Sequence, residues 1–200
     1  MNMSTKVVAI VGSYCKGGMT DAAIEAILLG AREKGAETHA VYLADQKLQF
    51  CTSCRECALA PGPERGRCPL KDDLEPILSE IEGADAVVLS SSVSYGNVTA
   101  IFRLFMERLT VYFYWPWGQR EPMLRTNASS RKAVLVATSG MPGFLIPLLS
   151  DAASTLRLTA KALGAKPMDT LWVSKCAWRP RHNLTPADTE RARQIGWKLA

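Results

Sequence analysis

Two patterns of hydrophobic and polar positions alternate along the chain: short apolar runs, and longer segments with apolar residues three or four positions apart. Apolar runs at residues 6–11, 86–90 and 133–137 are typical of strands buried on both faces of a parallel sheet. Residues 37–43 alternate as a strand near a sheet edge does, and residues 170–173 form another short run. The pattern therefore predicts five strands.

Helical spacing follows each of these runs. The predicted helices start at Thr20 and at Asp72 or Asp73, and the others cover residues 99–109, 147–163 and 186–199. Thr20 is predicted to be the N-cap of the first helix, and Gly35 its stop. Each predicted strand is thus followed by a helix.

Strands separated by helices pair in parallel through right-handed crossovers. The expected fold is therefore α/β, a flavodoxin-like three-layer sandwich with a five-stranded parallel sheet of order 2-1-3-4-5. No internal repeat or low-complexity linker is visible, so residues 1–200 are predicted to form a single domain. Ligands of such sheets bind beyond the carboxyl ends of the strands, where the strand order reverses.

Composition and charge narrow the class of protein. Hydrophobic residues make up 48% and charged residues 22%, which argues against disorder and coiled coils. The apolar stretches are too short for a membrane span and the N-terminus does not resemble a secretory signal, so a cytoplasmic location is expected. The net charge of +5 comes from scattered basic residues in the second half, which disfavours nucleic-acid binding but suits a phosphorylated dinucleotide.

The loop after the first strand, residues 12–21, is rich in glycine and hydroxyl groups and leads into a helix. Backbone N–H groups and the positive end of the helix dipole converge at such a position, so a phosphate could be held by Ser13, Lys16, Thr20 and the main chain. The spacing fits neither G-x-x-x-x-G-K-S/T nor G-x-G-x-x-G, which disfavours kinases, ATPases and dinucleotide folds. The alternative is a solvent-facing turn that needs glycines.

Two later loops at the same predicted edge are also small and polar. In residues 91–99, Gly96 stands between Tyr95 and Asn97, where the backbone could approach a flat heterocycle closely. A plain turn capped by Asn97 is the alternative. Residues 138–144 contain Gly140 and Gly143. Three such loops on one edge favour a cofactor site.

Four of the six cysteines lie within eighteen residues, as Cys51-x-x-Cys54-x-x-Cys57 followed by Cys68, in a loop at about residues 50–71. A reducing compartment disfavours disulfides between them. Three interpretations stay open: ligands of a [4Fe–4S] cluster, a tetrahedral zinc site, or plain thiols in an ordered loop.

An insertion at about residues 111–131 contains the aromatic run from Tyr112 to Trp117. This run is too aromatic for an idle surface loop. It predicts a cover over a cofactor ring or a subunit interface, with ordinary packing as the alternative.

With these motifs the chain resembles flavodoxin-like NAD(P)H-dependent FMN reductases, including the related iron-sulfur flavoproteins, from residue 7 to about residue 172. The resemblance is carried by Gly12-Ser13 with Gly18 and Thr20, the Cys51–Cys57 segment, Lys71-Asp72-Asp73, and Gly96-Asn97-Val98-Thr99. The chain departs from the family pattern in the first loop at Cys15 and Met19, and in the second at Ser92 and Ser94.

The resemblance implies residues for two parts of FMN. Those implied for the phosphate are Ser13, Lys16, Gly18 and Thr20. Those implied around the ring are Ser91, Val93, Tyr95, Gly96, Asn97, Ser139 and Gly140. It also supports Cys51, Cys54, Cys57 and Cys68 as ligands of a [4Fe–4S] cluster.

The function expected from the resemblance is that of an FMN-dependent NAD(P)H oxidoreductase. Hydride would pass from NAD(P)H to flavin N5, and the reduced flavin would then reduce a small electron acceptor such as a quinone. A homodimer or a higher homo-oligomer is expected, since relatives often complete the flavin site with a neighbouring subunit. Two alternatives stay open: an iron-sulfur flavoprotein that passes electrons between the cluster and FMN, and a non-catalytic flavin-binding electron carrier or sensor.

Overall fold

The computed structural model describes residues 4–125, 131–176 and 183–200. Its main sheet has five parallel strands in the order β2-β1-β3-β6-β7. These strands are β1 (Lys6–Gly12), β2 (Glu37–Tyr42), β3 (Ala86–Ser92), β6 (Lys132–Thr138) and β7 (Lys166–Val173). A separate antiparallel pair consists of β4 (Phe113–Tyr114) and β5 (Met123–Leu124). The flavodoxin-like fold and its strand order 2-1-3-4-5 are confirmed.

Helices cover both faces of the sheet. They are α1 (Met19–Glu33), α2 (Glu56–Leu59), α3 (Leu74–Glu82), α4 (Ala100–Arg108), α5 (Ile146–Leu149), α6 (Ala152–Ala162) and α7 (Pro186–Trp197). One apolar layer fills the space between the sheet and α3, α4 and α6, and the other fills the space under α1 and α7. Alternate residues of β1 enter opposite layers, so Val8 and Ile10 face one layer while Val7 and Ala9 face the other. This is why the central strands read as continuous apolar runs.

The single helix predicted over residues 147–163 is wrong. The chain forms two helices, α5 and α6, because Ser150 adopts an extended conformation (φ −140°, ψ 144°) between them. The Ser150 hydroxyl donates a hydrogen bond to the Ile146 carbonyl at 2.7 Å and thereby ends α5. The next amide, of Asp151, donates to the Gly96 carbonyl at 2.7 Å. The break therefore attaches the start of α6 to the loop after β3.

Thr20 is not the N-cap of α1, contrary to prediction. Gly18 occupies that position, in extended backbone, and its N–H donates to the Cys15 carbonyl at 3.2 Å. Thr20 lies inside the first turn, where its buried hydroxyl is 2.8 Å from the hydroxyl of Thr138 on β6. The glycine-rich loop thus lets the helix start earlier than the hydroxyl pattern indicates.

None of the helices in the described part of the chain is both long and apolar enough to cross a membrane.

Candidate cofactor site

The carboxyl ends of β1, β3 and β6 lie side by side at one edge of the sheet. Gly12 on β1 pairs with Ser91 on β3, and Ser92 pairs with Thr138 on β6. The loops that follow these three strands therefore share one edge, as the strand order predicts. We call this edge, formed by residues 12–20, 91–99 and 138–144, the rim.

The first rim loop presents an open helix N-terminus. The amides of Met19, Thr20 and Asp21 lie too early in α1 to bond a carbonyl of the helix itself. Gly18 supplies no side-chain cap for them. Ser13 is buried beside this turn, and its hydroxyl oxygen accepts a hydrogen bond from the Cys15 N–H at 3.3 Å. Such a helix start attracts anions.

Two of the residues proposed for the phosphate are engaged elsewhere. The Lys16 ammonium lies 2.7 Å from a carboxylate oxygen of Asp45 and 5.6 Å from the centre of the Tyr42 ring. The Thr20 hydroxyl bonds to Thr138. Ser13 and Gly18 lie at the open helix start, and contact of all four residues with a phosphate stays a prediction.

Asp21, directly after the first rim loop, is a residue that the sequence did not single out. One of its carboxylate oxygens accepts the Gly17 N–H at 2.7 Å, and the other is buried with no hydrogen-bond partner among the described residues. Burial raises the pKa of Asp21 above its usual value. A carboxylate thus occupies part of the place where an anion would bind. The signal that could have found it is an acidic residue in the first turn after a glycine-rich loop.

The second rim loop ends in a tight turn. Ser94 and Asn97 exchange backbone hydrogen bonds of 2.8 and 2.9 Å around Tyr95 and Gly96, whose φ angles are 46° and 76°. Two successive positive φ values define a type I′ turn. Its geometry leaves the Tyr95 side chain fully exposed. The turn therefore offers an aromatic ring and a glycine at the edge where the ring of a cofactor is predicted.

Asn97 does not cap the following helix. Thr99 is the N-cap of α4, and its hydroxyl oxygen accepts the Phe102 N–H at 3.4 Å. The Asn97 side-chain oxygen instead accepts the Thr155 hydroxyl at 2.8 Å. This contact joins the second rim loop to α6.

The remaining predicted ring residues lie at the strand ends. The Ser91 hydroxyl is buried and accepts the Thr99 N–H at 3.0 Å. The Val93 N–H donates to the Thr138 carbonyl at 2.8 Å, and the Ser139 N–H donates to the Val173 carbonyl at 2.9 Å. Gly140 follows directly and is partly exposed. The Val93–Thr138 bond joins the second rim loop to the third, and contact of these residues with a ring stays a prediction.

The four clustered cysteines line one cleft of about 260 Å³. The residues lining this cysteine cleft are Cys51, Thr52, Ser53, Cys54, Arg55, Cys57, Cys68, Leu70, Thr110, Trp115 and Trp117. Burial, together with the charges of the other three thiols, raises the pKa of the Cys57 thiol to about 11. Cys68, which ten residues separate from the C-x-x-C-x-x-C segment, thus folds back to the same cleft.

The thiols of the cleft do not converge on one point. Zinc needs ligands about 2.3 Å from a common centre. Among the described residues, no three His, Cys, Asp or Glu side chains lie close enough together to hold a single metal ion. The cluster, zinc and plain-thiol interpretations of the four cysteines therefore all stay predictions.

The backbone of the cysteine loop is held in an unusual conformation. Ser53 and Arg55, neither of them glycine, have φ angles of 55° and 60°. Each such residue costs about 1–3 kcal/mol, which contacts with its surroundings must outweigh. The guanidinium carbon of Arg55 lies 3.7 Å from the centre of the Trp115 ring and 4.5 Å from that of Trp117. These cation–π contacts offset part of the strain.

The aromatic insertion contributes Trp115 and Trp117 to the wall of the cysteine cleft. The Trp115 N–H donates to the Ala58 carbonyl at 2.8 Å, and the buried Arg125 donates to the Cys57 carbonyl at 3.4 Å. The sequence predicted a cover but did not connect it with the cysteines. Residues 126–130 of the insertion lie outside the described residues.

A buried ion pair closes the inner side of the cleft. Arg108, the last residue of α4, contacts both carboxylate oxygens of Asp72, at 2.5 and 3.2 Å, and only 1% and 2% of the two side chains is exposed. Burial opposes ionisation of Asp72, yet hydrogen bonds from Arg108 and from two backbone N–H groups hold its pKa below the usual value. Arg108 also donates to the Cys68 sulfur at 3.3 Å. Sequence reasoning counted Arg108 only among scattered basic residues.

Comparison with known proteins gives consistent matches. The model of the NADPH-dependent FMN reductase family matches residues 5–175. An iron-sulfur flavoprotein of Archaeoglobus fulgidus is 33% identical over 98% of this chain and 79% of its own. Another, of Methanocaldococcus jannaschii, is 36% identical over 52% of this chain, and the match spans only 51% of that relative's length.

A solved structure agrees in fold. The NAD(P)H:quinone oxidoreductase from Methanothermobacter marburgensis superimposes with a TM-score of 0.73 at 18% identity, covering 99% of this chain and 100% of that one. The family model covers most of the chain, and the fold agrees with it. The chain therefore belongs to the NADPH-dependent FMN reductase family.

Proposed function

We propose that this protein is an NAD(P)H-dependent flavin oxidoreductase of the iron-sulfur flavoprotein type. FMN would bind at the rim, a [4Fe–4S] cluster would bind in the cysteine cleft, and a small molecule such as a quinone would accept the electrons. The observation that carries the proposal is the convergence of Cys51, Cys54, Cys57 and Cys68 on one cleft in a flavodoxin-like chain.

The polar groups of the rim support the proposal that FMN binds there. The open start of α1 beside Ser13 offers backbone N–H groups to a phosphate. A flat ring needs an aromatic or backbone surface against one of its faces, with the other face left open. Tyr95 and Gly96, at the tip of the neighbouring loop, would supply such a surface. The open face would admit the nicotinamide.

The cleft fits an iron-sulfur cluster in its donor set. Clusters of this kind are held by four cysteine thiolates, three of them often closely spaced. Four cysteines share the cleft, and tryptophans Trp115 and Trp117 lie at its wall. Their indole rings would restrict access of water to the thiolates, which affects the potential of a bound cluster.

Helix α4 connects the two candidate sites. Its N-cap, Thr99, donates to the Gly12 carbonyl at the rim at 2.6 Å, and its last residue, Arg108, contacts Cys68 in the cleft. Nine helical residues span about 13 Å at 1.5 Å per residue. The two sites are therefore held at a fixed separation by one rigid element.

The protein's own contribution is positioning. Bound FMN would supply exchange between two-electron and one-electron steps, and a bound cluster would supply one-electron transfer. The rim residues would orient the ring and anchor its phosphate, while the cleft residues would hold the thiolates and exclude water. A catalytic acid or base is not required for this chemistry.

Purification without oxygen, followed by assay of flavin, iron and acid-labile sulfide, tests the proposal. We expect one FMN and four iron atoms per chain, as one [4Fe–4S] cluster requires. Rapid bleaching of the flavin on mixing with NADPH or NADH is also expected. Cys54→Ser should lose the iron and keep the flavin, because Cys54 lines the cleft and not the rim.

Cys176→Ser is the matched control, since Cys176 lies outside the cleft and should keep both cofactors. Protein that holds FMN but takes up no iron after reconstitution would reject the cluster. Protein that holds FMN but is not reduced by either nicotinamide would reject the reductase and favour an electron carrier.

A further inference from the structure

Arg108 makes more directed contacts than an ion pair needs. One terminal nitrogen donates to the Gln49 carbonyl at 2.6 Å and to Asp72 at 2.5 Å. The other donates to the second oxygen of Asp72 at 3.2 Å and to the Cys68 sulfur at 3.3 Å. The guanidinium thus connects the end of α4 to Cys68 in the cysteine loop and to Gln49 and Asp72 on either side of that loop.

The guanidinium cannot turn away from the sulfur. Asp72, which fixes it through both carboxylate oxygens, is itself held by the N–H groups of Gln49 at 2.8 Å and Leu74 at 3.2 Å. The pair is almost completely buried, so water cannot replace these contacts. The N–H that faces Cys68 is therefore preorganised.

Cys68 differs from the other three cysteines in this respect. Cys51, Cys54 and Cys57 lie in one short segment and receive no hydrogen bond to sulfur from any described side chain. Cys68 reaches the cleft alone, from a separate part of the loop, and it is the thiol that meets a buried positive charge.

We propose that Arg108 is a positioning residue for Cys68, which holds the remote thiolate toward the cleft and raises the reduction potential of a cluster bound there. This inference rests on the proposed cluster. A donor hydrogen bond to a ligand sulfur stabilises negative charge on it, and the reduced cluster carries one more negative charge than the oxidised cluster. Removing the bond should therefore make the cluster harder to reduce.

Arg108→Lys keeps the positive charge but removes the two terminal nitrogens of the guanidinium, so it tests the role of their separate hydrogen bonds. A single ammonium cannot serve Asp72, Gln49 and Cys68 with the geometry of the guanidinium. Arg125→Lys is the matched control, because Arg125 is another buried arginine at the same loop but donates to the carbonyls of Phe113, Gly62 and Cys57 and not to a sulfur.

The potential is measured by an anaerobic redox titration followed by EPR, with iron, flavin and the unfolding midpoint determined for each protein. We expect Arg108→Lys to lower the equilibrium constant for reduction about tenfold, which is about 59 mV for one electron. Arg125→Lys should leave the potential unchanged. Loss of the cluster from Arg108→Lys alone, with flavin content and unfolding midpoint equal to those of Arg125→Lys, also supports the assignment.

Equal potentials in the wild type and both variants would overturn it, as would equal shifts in both variants. If Arg108→Lys does not fold, Arg108→Gln with Asp72→Asn, which leaves no buried charge unpaired, takes its place with the same expected direction. If the wild-type protein binds no iron, the proposed cluster itself is rejected. The inference about Arg108 is then rejected together with the cluster.

Discussion

At the scale of single residues, the Asp21 carboxylate affects how strongly the rim would bind an anion. The Asp21 carboxylate accepts the Gly17 N–H, which a phosphate at the start of α1 would otherwise use. Its second oxygen is buried and unpartnered among the described residues. Burial raises the pKa of Asp21; the nearby charge of Glu25 acts in the same direction, and that of Lys16 in the opposite one. The site therefore contains a carboxylate that competes with the proposed ligand.

Asp21→Asn should bind FMN about tenfold more tightly at neutral pH, which corresponds to about 1.4 kcal/mol. Asparagine keeps an oxygen that accepts the Gly17 N–H but removes the repulsion between two negative charges. The measurement is titration of apoprotein by quenching of flavin fluorescence. Riboflavin, which has no phosphate, is the control and should bind both proteins equally.

The same residue predicts a pH dependence. As the pH falls through the raised pKa of Asp21, its carboxylate gains a proton and the repulsion is lost, so wild-type FMN affinity should increase. The ionisable neighbours that face Asp21 are Lys16 and Glu25, with Tyr42 and Asp45 beyond them. Asp21→Asn should bind FMN with a weaker pH dependence. An equal dependence in both proteins would assign the effect to the phosphate or to these neighbours.

At the scale of elements, two glycines set the distance between α1 and α7. A Cβ atom on Gly196 would lie 2.0 Å from the Ile27 carbonyl oxygen, and one on Gly30 would lie 2.1 Å from that of Arg193. Both obstacles are backbone atoms of the opposing helix, which cannot rotate out of the way. The two helices therefore pack backbone against backbone, and α1 carries the open N-terminus of the rim.

Gly196→Ala should lower the free energy of unfolding by about 1–3 kcal/mol, the usual cost of inserting a methyl group into a packed contact. Urea denaturation followed by circular dichroism measures it. Gly83→Ala is the control, since its Cβ would meet nothing closer than 3.5 Å and its φ of −78° suits alanine. Equal stability of the two variants would mean that the helices separate freely.

At the scale of the whole molecule, large apolar side chains are exposed beside the rim. Phe144 ends the third rim loop, and Leu148 and Leu149 follow it; their exposed fractions are 73%, 74% and 61%. Tyr95 in the second rim loop is also fully exposed. Exposed apolar groups concentrated in one region mark interaction surfaces. We propose that a second copy of the chain covers this surface and closes the flavin site.

The expected outcome is a dimer in light scattering coupled to gel filtration. Leu148→Glu should shift it toward the monomer and weaken FMN binding, because a buried charge without a partner opposes association. Leu29→Glu is the control, since Leu29 is also exposed but lies on α1, and it should leave the mass unchanged. A monomeric wild-type protein would contradict the proposal.

Much of the fold could be predicted because it depends on local pattern. The apolar run of β3 and the spacing of apolar residues in α4 each arise within a few neighbouring positions. Hydrogen bonds between distant groups overrode local pattern at two places. Thr20 bonds to Thr138 instead of capping α1. The Asp151 N–H bonds to the Gly96 carbonyl at the point where apolar spacing predicts an unbroken helix.

By itself, the sequence determined the alternation of strands and helices and the presence of four cysteines in one loop, because each depends on residues close together in the chain. Only the tertiary structure decided which groups meet at those cysteines. Arg108 is forty positions from Cys68, and Trp115 is sixty from Arg55. Such contacts arise when the packing of α4 and the aromatic insertion against the sheet brings distant segments together, and no spacing within the chain encodes them.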